Sequence, residues 1–87
     1  MLRIDTSQDW ARVDHELQKD IKNLPYHVRM DLEKINKNIS NLVTELSTAE
    51  IQCRRHHKTT HTFIELQEKC NTMIADYQKM IMMGKLL

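Results

Sequence analysis

Cys53-Arg54-Arg55-His56-His57-Lys58-Thr59-Thr60-His61-Thr62 is the stretch on which the architecture of this 87-residue chain turns. It carries three bases, three imidazoles and no acid, and it separates two long runs of helical apolar spacing. Read as helix, it joins them into one rod of about 58 residues, roughly 87 Å long. Read as a turn, it folds them into a hairpin. Threonine and histidine are weak helix formers, which favours the turn, whereas the apolar phase carries through the stretch, which favours the rod. The hairpin is the expected form and the continuous helix the alternative.

Upstream, Val28, Leu32, Ile35, Ile39, Leu42, Leu46, Ala49 and Cys53 recur at alternating steps of four and three, the seam of a coiled coil. No glycine or proline interrupts the chain from Tyr26 to Met83. The spacing predicts a helix over about 26–54. With Leu32, Ile39, Leu46 and Cys53 as a positions, the e and g positions include Asn36, Asn38, Val43 and Gln52, so no ladder of opposed charges selects a partner. Met30 and Ile51 lie opposite the seam and imply contact on a second side, as in a bundle.

Downstream, the same phase runs through His56, Thr60, Phe63, Gln67, Cys70, Ile74, Tyr77 and Ile81. Leu66, Met73 and Met80 widen this face enough for two neighbours. A helix over about 62–83 is expected, opened by a capping box from Thr62 to Glu65. His56, Thr60 and Gln67 would form a polar layer fixing register. The middle helix, at about 28 residues, is expected to overhang its neighbours and leave part of its seam bare.

Toward the N-terminus, Thr6-Ser7-Gln8-Asp9 is a helix start, and Trp10, Val13, Leu17, Ile21 and Leu24 form one apolar stripe. This helix, over about 7–23, ends before Pro25, which disfavours helical geometry in its predecessor. The fold expected is all-α: one helical domain over 1–87, a three-helix coiled-coil bundle with a short N-terminal helix and two longer ones.

One glycine and one proline leave too few turn residues for a β-architecture and too few glycines for a phosphate-cradling loop. Thirteen bases against twelve acids give +1, no general field for nucleic acid or anionic lipid. The apolar stretch Met80–Leu87 is far short of the ~20 residues of a membrane span. Polar residues follow Met1-Leu2 where a leader would be apolar, and the two cysteines lie far apart. A reduced, intracellular and cytoplasmic protein is therefore expected.

Chemistry has three candidates in the central stretch. On a continuous helix Cys53, His57 and His61 would share a face and offer metal-ligand atom types, though no fourth ligand is near in sequence. Arg54, Arg55 and Lys58 could touch phosphates or an acidic protein, but lack interleaved aromatics for stacking. No nucleophile and base have a reason to converge, so no enzyme and no cofactor are expected. Trp10 and Tyr77 read as packing between helices, while Met82 to Leu87 could dock on a partner. The function expected is that of a non-enzymatic coiled-coil subunit or adaptor. It would bind helical partners, or itself, through Val28, Leu32, Ile35, Ile39, Leu42, Leu46, Ala49, Phe63, Leu66, Ile74, Tyr77 and Ile81. The alternative is a small regulator using segment 54–61 on nucleic acid or an acidic protein.

Overall fold

The computed structural model describes residues 2–86. A 3₁₀ turn at Ser7–Asp9 leads into α1 (Trp10–Ile21), followed by α2 (Tyr26–His56) and α3 (His61–Lys85). The last two form an antiparallel hairpin, within overall dimensions of 48 × 17 × 15 Å. An 87 Å rod is excluded.

The break falls at His57, whose φ of 55° and ψ of 35° place it in the left-handed region that ends many helices. The Lys58 N–H returns to the Cys53 carbonyl at 3.2 Å, satisfying an end of α2. Thr60 then takes an extended conformation, and its Oγ1 accepts from the Phe63 N–H at 3.2 Å. The N-cap of α3 is thus Thr60 and not Thr62, which lies inside the first helical turn. Glu65, the other half of the expected box, instead meets His61 Nε2 at 2.9 Å. Arg54, Arg55 and His56 fall in the last turn of α2, where cations oppose the negative end of the helix dipole.

At the N-terminal start, the Asp9 carboxylate accepts the backbone N–H groups of Asp5 at 2.9 Å and Thr6 at 3.2 Å. Those two bonds hold its carboxyl below the ordinary value, with Arg12 adding to the effect against slight desolvation. Val13, Leu17 and Ile21 of α1 and Leu24 beyond it are buried, as the stripe requires, and Trp10 is half-buried. The helical part of this segment is shorter than 7–23, because its first turn is 3₁₀ and it unwinds before Pro25.

The core runs the length of the hairpin. Leu32, Ile39, Leu46, Cys70, Ile74 and Tyr77 are fully buried, with Val13, Leu17 and Ile4 beside them. Each such aliphatic contributes about 1.5–3 kcal/mol by leaving water. Along the hairpin Cys53 lies level with Thr60, Asn36 with Tyr77, and Val28 with Gly84. A Cβ on Gly84 would stand 3.1 Å from Val28 Cγ1, so the absent side chain lets the helices close at that end. α3 therefore accompanies α2 almost to its start, and the expected overhang does not occur. Among the described residues, no helix is long and apolar enough to cross a membrane.

Candidate interaction surface

Two rows of α2 side chains flank the buried Leu32–Ile39–Leu46 line, and they have different fates. On one flank stand Asn36, Val43 and Glu50. Asn36 Nδ2 donates to Asp14 of α1 at 2.7 Å, Val43 is buried, and Glu50 accepts from the Ser7 N–H and from Ser7 Oγ, the latter at 2.7 Å. On α3, Asn71 exchanges two hydrogen bonds with the backbone of Ile4, at 2.7 and 2.9 Å, and Gln67 Nε2 donates to the Asp5 carbonyl at 2.9 Å. The N-terminal segment and α1 therefore cover this side of the hairpin, with Ile4 sealed beneath at 0% exposure.

The opposite flank carries Val28, Ile35 and Leu42 on α2, and Leu66, Met73 and Met80 on α3. All six are half-buried, packed on the core from one side only. Residues seven apart on a helix lie in one line, so each trio forms a row. Between the rows at the level of Leu42 and Met73 runs a shallow trough with Glu65, Glu68, Lys69 and Thr72 on its walls.

This geometry divides the residues assigned to partner contact from sequence. Leu32, Ile39, Leu46, Ala49, Ile74, Tyr77 and Ile81 are interior, buried by the chain's own hairpin, so the seam itself is a core and not a docking strip. Val28, Ile35, Leu42 and Leu66 lie on the open flank. Phe63 is half-buried near the turn beside Cys53, in a depression shared with Thr6, Gln8 and Glu50. Met73 and Met80 join the open flank, although their spacing marked them only as a widening of the core face. Met30 and Ile51 are exposed at 39% and 48%. Met82, Met83 and Leu86 are more exposed still, and Leu87 lies outside the described residues.

The turn brings Arg54, Arg55, His56, His57, Lys58 and His61 to one end of the molecule, all exposed. Of these only His61 has an acidic partner within 4.0 Å among the described residues. The three-membered face Cys53–His57–His61 needed an unbroken helix, and the left-handed His57 removes it. Cys53 Sγ instead lies 3.5 Å from Thr60 Oγ1 and accepts the Thr60 N–H at 3.4 Å. Among the described residues no three His, Cys, Asp or Glu side chains are grouped to hold a metal ion. Nor do His56, Thr60 and Gln67 form a layer: His56 is exposed, Thr60 caps α3, and Gln67 binds the N-terminal segment. Both cysteines are free thiols, and burial, aided by the Glu45 charge, pushes Cys70 up to about 11.

Comparison of the chain with protein-family models, with curated proteins and with solved structures gives no match in any of the three. Its function is read from the surface alone.

Proposed function

We propose that this chain is a non-enzymatic helical interaction protein, a small structural subunit or adaptor inside the cell. It works by burying the open flank of the α2–α3 hairpin against another helix. The observation that carries this reading is the row of six half-buried apolar side chains on the side of the hairpin that α1 leaves bare. Contiguous apolar strips of this kind mark association surfaces on proteins otherwise rich in surface charge. Met73 and Met80 add flexible, polarizable contact that adapts to a partner's shape.

The test separates flank from core. Leu42→Glu and Met73→Glu keep the helical circular dichroism but lose association, measured as absolute mass by light scattering during size exclusion. Leu46→Glu, in the core, loses the helical signal itself, and Lys37→Glu changes neither. Association that survives both flank substitutions refutes the reading.

A second reading has its own observation, Arg54, Arg55 and Lys58 exposed together at the turn with no ion pair among the described residues. It takes an acidic protein or nucleic acid at that end. Charge reversal at these three residues spares assembly under the first reading and abolishes salt-sensitive binding under the second.

A further inference from the structure

We infer that the basic end of the molecule takes an acidic peptide segment of a partner protein, and that one bulky apolar side chain of that segment seats in the depression beside Arg54. This rests on the second reading above and narrows its partner.

Three parts of the chain that are distant in sequence meet at this depression. Thr6 and Gln8 come from the N-terminal segment, Cys53 and Arg54 from the end of α2, and Thr59 and Phe63 from the turn and the start of α3. Its volume is about 320 Å³, the lower end for a binding site and room enough for one bulky side chain. Hydrogen bonds fix its walls. Glu50 accepts from Ser7 Oγ at 2.7 Å and so holds the N-terminal wall against α2. The Thr60 N–H donates to Cys53 Sγ at 3.4 Å, and Thr60 Oγ1 accepts from the Phe63 N–H at 3.2 Å, which ties the turn to both helices. A site built in advance loses little freedom when it is filled.

The inside and the rim differ in chemistry. Phe63 and Cys53 are half-buried and offer ring and sulfur surface to an apolar guest. The rim is basic. Arg54 lines the depression itself, and Arg55 and Lys58 follow within four residues, all three exposed and in no ion pair among the described residues. The acids nearest in sequence on either side are already engaged, Glu50 by Ser7 and Glu65 by His61 at 2.9 Å. The three cations are therefore left to an acid from outside the chain.

Nucleic acid uses less of this site. Three cations neutralise at most about three phosphates, and Phe63 is half-buried, where stacking of a base needs an open ring face. A carboxylate-rich segment with one apolar residue uses all of it. Its acids form charge-assisted bonds to the rim, and its apolar side chain leaves water in the depression, an anchor within a polar rim.

The experiment is fluorescence anisotropy at low salt with three labelled probes: a peptide of Asp and Glu with one central Phe, the same peptide with Ala in place of the Phe, and an oligothymidylate of like length. The Phe peptide is expected to bind roughly 10-fold more tightly than the Ala peptide, and to slow the alkylation of Cys53 by iodoacetamide. Arg54→Glu, at an exposed position, is expected to keep the helical circular dichroism and to weaken both peptides by roughly 10-fold. Equal binding of the two peptides, with Cys53 unprotected, overturns the anchored segment and leaves the second reading standing. Tighter binding of the oligothymidylate than of the Phe peptide overturns the acidic segment as partner. Failure of all three probes to bind overturns this inference and the second reading together, and leaves the open flank of α2 and α3 as the working surface.

Discussion

Replacing Tyr77 by Phe should stabilise this protein, although it deletes a polar group from a residue at the centre of the fold. The Tyr77 ring is 0% exposed, and its hydroxyl has no hydrogen-bond partner. Burial pushes the phenol up to about 12; nearby Asn36 opposes the rise, and the charges of Asp14 and Glu33 add to it. Asn36 stands beside the phenol and lowers its pKa as a hydrogen-bond neighbour, but its Nδ2 is directed to Asp14 at 2.7 Å, and among the described residues no partner meets the hydroxyl with full hydrogen-bond geometry. In the unfolded chain water satisfies that hydroxyl, and folding strips the water away without a replacement. Such a loss costs about 1–3 kcal/mol, and phenylalanine avoids it while filling the same ring volume. An expected gain of about 1 kcal/mol corresponds to about 4–8 °C in Tm for a chain of this size. Thermal and urea unfolding at one fixed protein concentration would measure it, because association also moves Tm. Destabilisation by about 1 kcal/mol would show instead that the hydroxyl donates a hydrogen bond in the native state, and would refute the reasoning.

Three further outcomes follow from local geometry. His57→Gly should gain about 0.5 kcal/mol in urea unfolding, since glycine bears no Cβ strain at a left-handed helix end, whereas His57→Val should lose about 1–2 kcal/mol. Asp9 has a lowered folded-state pKa, so its contribution is present above the ordinary carboxylate range and is lost as pH falls through the lower folded value. Asp9→Asn should therefore destabilise at neutral pH and flatten the acid limb of the stability curve, read by circular dichroism from about pH 5 to 2. Cys53, half-exposed, should react with iodoacetamide in the native protein, while Cys70, buried with its thiol pushed up to about 11, should react only on unfolding, as peptide mass spectrometry would show.

The helices were legible because apolar spacing is a direct record of burial. Leu32, Ile39 and Leu46 had to face a core, whichever helix supplied the other side. The turn was only weakly legible, since the apolar phase of α2 happens to continue across residues 57–60 into α3. What decides the matter is one backbone conformation, His57 in the left-handed region, at a residue type that seldom marks it. The side on which α1 packs was not legible at all. Both flanks of the seam hold apolar residues, and the choice is made by Asn36, Glu50, Gln67 and Asn71, whose bonds reach across 22 to 67 residues of chain. Ile4 was missed for the same reason: a lone apolar residue in a polar stretch carries no period. The candidate surface was half legible. The seam residues were singled out correctly as apolar, but only the fold could divide those that the chain covers itself from those that it leaves bare.

The claim that the open flank is the working surface is tested most directly by the methionine methyl groups, which report from both sides of it. With ¹³C-methyl methionine, the relaxation caused by a soluble paramagnetic agent gives the solvent exposure of each methyl as the chain associates. The account predicts that Met73 and Met80 become protected as the mass rises on association, while Met30 and Met82 stay as exposed as in the free chain. Protection of Met30 or Met82 in place of Met73 and Met80, or association that protects none of the four, would contradict it.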